Sequence, residues 1–215
     1  MPSNPLVGVY RAGLALAILA AVVATAADVL SRGPLNIFNF FGFFTIQSNV
    51  FLMVVLSVTA SFDLRGARHP EWLDLARGLT TTYIVIVGLV YVLLLAPLGA
   101  AGGVPVPWAN FVLHYVTPVT AAIEWVVLLD RRPLAPRRLV AVLVYPLVWL
   151  IVVLIRGATD GWVPYPFLDP ANGYGAVAIV CVGICVAMLV VGALVFWVSR
   201  ARVSRALGNE RSATR

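Results

Sequence analysis

Six stretches of this chain are apolar nearly all the way round: 7–30, 41–62, 76–96, 110–129, 139–155 and 174–199. A helix without a polar face cannot sit on the surface of a water-soluble core. Crossing a hydrocarbon layer of about 30 Å takes about 20 apolar residues, so six crossings consume most of a chain of 215. Composition points the same way. Hydrophobic residues make up 61% and charged residues 11%, against about 45–50% and about 25% in a soluble domain. The pattern predicts an all-α, polytopic bundle of six transmembrane helices over 1–199, with a basic tail over 200–215. Gly and Pro punctuate the gaps, and no internal repeat marks an inverted-repeat transporter.

The net charge is +6, and every basic residue is Arg. Such a balance suits nucleic acid when it forms one patch, but here the arginines are scattered between apolar segments. Their distribution reads as membrane orientation. Arg11, then Arg65, Arg68 and Arg77, then Arg131, Arg132, Arg137 and Arg138, and finally the tail arginines from Arg200 onward all fall on one side. Only Arg32 and Arg156 fall on the other. The asymmetry predicts that both termini are cytoplasmic. Ala24-Thr25-Ala26 has the small-residue form of a signal-peptidase site. With no basic residue before Arg11 and an apolar run continuing to Leu30, the first segment reads as a span instead.

Polar side chains inside hydrocarbon are costly and so mark candidate sites. Thr45, Ser48 and Asn49 follow i, i+3, i+4 spacing and share one stripe of the second segment. Asn110, His114 and Thr117 share a face of the fourth, with Glu124 farther along. Both segments begin on the Arg-poor side, and Thr45 and His114 each lie four residues in, roughly 6 Å deep at 1.5 Å per residue. A hydroxyl beside an imidazole is the minimum for nucleophilic attack on an acyl carbon. The same residues could instead bond back to their own helix or hold helices together. His69, beside Pro70 in a connection, reads as a loop residue. Cys181 and Cys185, one turn apart, read as packing, and the lack of clustered ligands implies neither metal nor organic cofactor. In the connection after the fifth segment, Trp162, Tyr165 and Phe167 suit an interfacial aromatic belt. Arg156 could clamp a carboxylate or phosphate or simply snorkel, with Asp28 as a pairing partner.

Three blocks, in order, resemble the bacterial branch of the androgen-induced/androgen-dependent six-pass membrane protein family: Phe43-Phe44-Thr45-Ile46-Gln47-Ser48-Asn49; Asn110-Phe111-Val112-Leu113-His114-Tyr115; and Tyr145-Pro146 followed by Ile155-Arg156-Gly157 through Tyr165-Pro166-Phe167-Leu168-Asp169. Animal members are threonine hydrolases of fatty acid esters of hydroxy fatty acids. The resemblance implies a multi-pass protein of a bacterial plasma membrane, with Thr45 as nucleophile and His114 as base. It implies a lipid ester substrate reaching the site from the outer leaflet. Ser48, Asn49 or Asn110 would then serve as oxyanion donors, and Arg156 would hold an anionic end of the substrate. Two other readings stand beside it. One is a non-catalytic lipid-binding or transport protein in which His114 and Glu124 relay protons; the other is a structural bundle. The sequence does not fix an oligomeric state.

Overall fold

The computed structural model describes the backbone of residues 4–213 and the side chains of 4–99 and 102–201. Among these residues the chain is all-helical, with no strand. α1 (Pro5–Arg32) opens with Pro5 at a position whose N–H no helix would use, and the Asn4 side chain caps it by accepting from the Leu6 N–H. A short α2 (Ile37–Phe40) precedes α3 (Phe44–Leu64) and α4 (Glu71–Val90). α5 (Pro107–Phe111) and α6 (Thr117–Val127) are halves of one helical run, and α7 (Ala141–Thr159) and α8 (Tyr174–Ala213) complete the order. Of the expected basic tail, α8 carries the backbone as helix to Ala213. Residues 214–215, and all side chains from 202 on, lie outside the described residues.

Five helical segments are long and apolar enough to cross a membrane: Pro5–Arg32, Phe44–Leu64, Glu71–Gly99, Pro136–Thr159 and Tyr174–Ala201. Their number points to a multi-pass membrane protein. The expected span at 110–129 folds as the run Pro107–Val127 but is not among the five. Asn110, His114, Thr117, Thr120 and Glu124 dilute its apolar content. α4 is the central helix, packed against α3, α6, α7 and α8, while α1 lies chiefly along α3. An apolar 18-residue stretch of the α4 segment is 56% buried, against 17% for that of the segment containing α7. Val144, Val148 and Ile151 on α7 and Ile179 and Val182 on α8 stay exposed, a surface suited to hydrocarbon rather than water.

Two helices widen in the same way. A π-helical turn spans Tyr91–Leu95 and closes with the Ala96 N–H donating to the Tyr91 carbonyl. A second spans Val112–Val116, closed by Thr117 N–H to the Val112 carbonyl. Each is followed by one residue and then a proline, Pro97 and Pro118. Proline has no N–H for the carbonyl four residues back and its ring crowds that carbonyl. A wide turn relieves the conflict without breaking the helix. The two widened turns lie against each other, and Gly88 lets α4 approach Pro118, since a Cβ there would meet the proline ring at 2.8 Å.

At the arginine-rich end, the helices close over a buried ion network. Arg11, fully buried within α1, meets Asp63 at 2.5 Å, Asp130 at 2.6 Å and Glu124 at 2.8 Å. Arg77 meets Asp130 at 2.9 Å and Glu124 at 3.4 Å. His69 is buried too, with Nε2 2.8 Å from Asp63 and Nδ1 3.3 Å from the Arg77 guanidinium. Arg131 turns inward over the Trp125 ring at 4.0 Å. So Arg11, Arg77 and Arg131, expected to flank the spans as orienting charges, are interior ion-pair and stacking partners, while His69 lies in the connection between α3 and α4 as expected but is buried there. Charges removed from water persist only when paired.

Replacing one partner would strand the others. Arg11→Met is expected to cost about 3–5 kcal/mol, read as a lower melting temperature in detergent. Burial alone would raise the Asp130 carboxyl, but the Arg77 and Arg11 guanidiniums hold it well below the usual carboxylate range. A carboxyl with a depressed folded-state pKa stabilises fully above its unfolded value of about 3.9 and loses that contribution as pH falls toward the folded value. The melting temperature should therefore hold from neutral pH down to about 5 and fall only below about 4. A plot of melting temperature against pH checks this.

Candidate functional site

Thr45 sits in the first turn of α3. That turn starts at Phe44 rather than Phe41 because α2 and a tight turn at Gly42 use up the preceding residues. Thr45 is therefore shallower in its helix than expected. His114 is deeper, because Pro107 starts its helix seven residues earlier. The two side chains nevertheless meet: Thr45 Oγ1 lies 3.3 Å from His114 Nε2, and both residues are buried.

The imidazole is oriented from three sides. Its Nδ1 lies 3.2 Å from the Asn110 carbonyl oxygen, which can only accept, so the ring proton resides on Nδ1. That leaves the Nε2 lone pair facing the Thr45 hydroxyl. The Tyr91 ring stacks on the imidazole with centroids 4.1 Å apart and planes 23° from parallel. Tyr91 is itself held by the Asn110 side-chain amide, whose Nδ2 donates to the phenol oxygen at 2.7 Å. The Asn110 Oδ1 accepts from the Val104 N–H at 2.9 Å. His114 and Tyr91 come from the two proline-widened turns, so the same backbone defect supplies the ring and its platform.

A third group reaches Thr45 from the connection between α7 and α8. The Tyr165 hydroxyl accepts from the Thr45 backbone N–H at 3.2 Å and lies 3.4 Å from Thr45 Oγ1. This corrects the expectation that Tyr165 belongs to an interfacial belt, since its ring is buried. Pro164 and Pro166 flank it, and Gly161 (φ 72°) and Gly173 (φ 85°) turn the chain at either end of the connection. Thr45, His114 and Tyr165 together line a cavity of about 340 Å³ walled by Thr25 and Val29 of α1, Phe43 and residues 102–105. Thr45 and Tyr165 also border a narrower, almost wholly apolar cleft of about 70 Å³ between α3, α4, α7 and α8. Cys181 and Cys185 line that cleft as free thiols.

Other expected site residues lie elsewhere. Asn49 spends its amide on structure: Nδ2 donates to the Thr45 and Leu113 carbonyls at 2.9 and 3.2 Å, and Oδ1 accepts from Thr117 at 3.0 Å. With both hydrogens engaged it cannot serve as an oxyanion donor. Ser48, Asn49 and Asn110 line neither the cavity nor the cleft. Arg156 is not brought to Thr45. It contacts Asp160 at 2.8 Å and Asn39 at 2.7 Å, stacks on Trp162 at 4.2 Å, and lines a separate outer depression with Gly42 and Trp149. The Trp162 backbone N–H, with Arg156, holds the Asp160 carboxyl below its usual range. Asp28 pairs with Arg32 rather than with Arg156.

Two further expectations change. Glu124 does not adjoin His114: ten residues, roughly 15 Å of helix, separate them, and Glu124 is held by Arg11 and Arg77. Ligand-type side chains do cluster, since Asp63, His69 and Asp130 offer atoms within 4.8 Å of one another. However, Arg11 and Arg77 already occupy both Asp130 oxygens, Asp63 Oδ2 and His69 Nδ1. The positive charge that a metal would bring is supplied by guanidinium, so these residues do not fit a cation.

Because Asn49 ties α3 to the α5–α6 run, Asn49→Ala is expected to remove its amide bonds to the Thr45 and Leu113 carbonyls and the one it accepts from Thr117, leaving the Thr117 hydroxyl only its bond to the Leu113 carbonyl. The expected loss is about 1–3 kcal/mol, measured by thermal denaturation. No family model, curated protein or solved structure matches the chain.

Proposed function

We propose that this protein is a six-pass membrane ester hydrolase in which Thr45 is the nucleophile and His114 the general base, and that it is a bacterial-branch member of the androgen-induced/androgen-dependent family. The observation that carries this reading is the 3.3 Å contact of Thr45 Oγ1 with a His114 Nε2 whose lone pair faces it, on the wall of a cavity. A threonine hydroxyl is a weak nucleophile until a positioned base takes its proton. The reaction runs in two halves. The Thr45 oxygen bonds to the ester carbonyl carbon while its proton passes to His114 Nε2. The tetrahedral adduct then collapses, the ester C–O bond breaks, and the imidazolium returns the proton to the departing alkoxide. Water, deprotonated by His114, next attacks the acyl-threonine carbon; the C–Oγ1 bond breaks, the imidazolium returns its proton to Thr45 Oγ1, and the carboxylic acid is released. The Asn110 carbonyl stabilises the imidazolium through Nδ1–H, and the Tyr91 ring keeps it in plane.

The apolar walls of the cavity and cleft favour an acyl chain over a hydrophilic substrate. A sixth span is supported by the run Pro107–Val127. At 1.5 Å per residue it is on the order of 30 Å long, buries His114 and Thr117, and exposes Phe111, Val119 and Ile123. Six spans put both termini on one side, which the arginine asymmetry makes cytoplasmic, in the plasma membrane of a bacterium. The dyad then opens toward the outer leaflet, with a lipid ester as substrate. The transport reading loses its proposed relay, because Glu124 is ion-paired at the opposite end of the bundle.

Labelling by a long-chain fluorophosphonate in detergent micelles tests the assignment. Thr45→Ala should abolish labelling and hydrolysis of a p-nitrophenyl acyl ester, and Thr45→Ser should retain both. His114→Ala should lower the rate by about 10²–10⁴-fold. Undiminished labelling of Thr45→Ala would overturn the proposal.

A further inference from the structure

We propose that Tyr165 is the oxyanion donor of this site, its phenol polarised by the first turn of α3. The inference rests on Thr45 being the nucleophile and adds a catalytic residue to that reading.

The argument begins with the start of α3. The first N–H groups of a helix have no partner within it, and Phe43 offers no side-chain cap. The Thr45 N–H is instead taken up by the Tyr165 oxygen at 3.2 Å. With that oxygen accepting from the backbone, the phenol hydrogen is free to point at Thr45 Oγ1, 3.4 Å away. Thr45 Oγ1 in turn directs its own hydrogen to His114 Nε2. The donors run one way: backbone N–H to phenol, phenol to threonine, threonine to imidazole, imidazole to the Asn110 carbonyl.

When Thr45 Oγ1 bonds to an ester carbon, it loses the proton it shared with His114, and the carbonyl electron pair moves onto the former carbonyl oxygen. That oxygen is bonded to the same carbon as Oγ1. The phenol hydrogen need only swing from one to the other. A donor aimed at charge that appears only in the transition state lowers the barrier without tightening the ground state. The helix N-terminus behind the phenol places partial positive charge there. Burial pushes the Tyr165 hydroxyl above the ordinary tyrosine range, so it is protonated, and a donor, at neutral pH.

The fold offers no equivalent among the other expected donors. Asn49 has both amide hydrogens bonded elsewhere, and Ser48 and Asn110 do not line the cavity. Tyr165, by contrast, is held by its ring. It stacks on Phe167 with centroids 5.2 Å apart and meets Phe43 edge-on at 5.7 Å.

Those ring contacts make Tyr165→Phe a clean test, because the substitution removes one oxygen and keeps the packing. In the full-length protein in detergent, with rates normalised to folded protein, kcat on a p-nitrophenyl acyl ester should fall by about 10²–10³-fold with KM little changed. A second measurement separates donation from structural support. Sulfur is a poor acceptor, so wild type should favour the ester strongly over its thionoester, and Tyr165→Phe should narrow that preference. An unchanged kcat, or a reduced kcat with the ester-to-thionoester preference intact, would overturn the role of Tyr165. If Thr45→Ala remains active as well, it is the hydrolase reading that fails; if Thr45→Ala is inert while Tyr165→Phe is fully active, only the present inference falls.

Discussion

In hydrocarbon, a carbonyl that loses its hydrogen-bond partner has no water to turn to. The His114 carbonyl is in that position because Pro118, four residues on, has no N–H. The helix answers by widening over Val112–Val116 instead of breaking. The widened turn changes which way its side chains leave the axis, and His114 is one of them. Tyr91 stands in the matching defect before Pro97. Two prolines thus place an imidazole and an aromatic platform face to face, with Gly88 allowing the helices to close around them.

The bundle holds its polar groups at two ends and treats them differently. At the arginine-rich end, opposite charges answer one another: Arg11, Arg77 and Arg132 with Asp63, Asp74, Glu124 and Asp130, together with His69, form one network. Such a network holds four segments of chain in register but has little capacity left for chemistry, since each charge is already answered. Around Thr45 and His114, toward the other end, the groups are uncharged and arranged in a single direction of donation beside open volume, with the Arg156–Asp160 and Arg32–Asp28 pairs set apart from them. Neutral hydrogen bonds are cheaper to rearrange in a low-dielectric interior than ion pairs are to separate. A site that must let a proton move belongs at the second end.

Much of this was readable from the residues. Long apolar runs have one physical solution, so five of the expected spans coincide with the long apolar helices. Counting depth from helix starts set Thr45 and His114 side by side, and the structure has them 3.3 Å apart, although both starts are displaced. The two displacements are opposite in sign, Thr45 nearer its helix start and His114 farther from its own, so equal depth is not what brings them together. The spacing of Pro97 and Pro118 after Tyr91 and His114 was a signal that could have been used. What was illegible depends on chain return. Tyr165 lies 120 residues from Thr45, in a connection whose aromatics look interfacial. Arg11, Arg77 and Arg131 sit beside helix ends, where an interior ion pair and an orienting surface charge have the same sequence signature. Of the Arg156 readings only the pairing with Asp28 is overturned, because Asp160, four residues on, is the nearer partner and Asp28 is held by Arg32.

Direction of donation, more than proximity, distinguishes this site from ordinary helix-to-helix bonding. Elsewhere in the bundle, threonine hydroxyls donate back to their own helix, as Thr25, Thr59 and Thr82 do to the carbonyls four residues before them. Such a hydroxyl is tied to the backbone and has no base to give its proton to. Thr45 has no carbonyl of its own helix to return to, because it stands in the first turn. Its hydroxyl must look outward, and the group it meets is a ring nitrogen whose other nitrogen is already committed as a donor. The position of one threonine at a helix start, rather than in its middle, turns a common packing residue into one whose proton has somewhere to go.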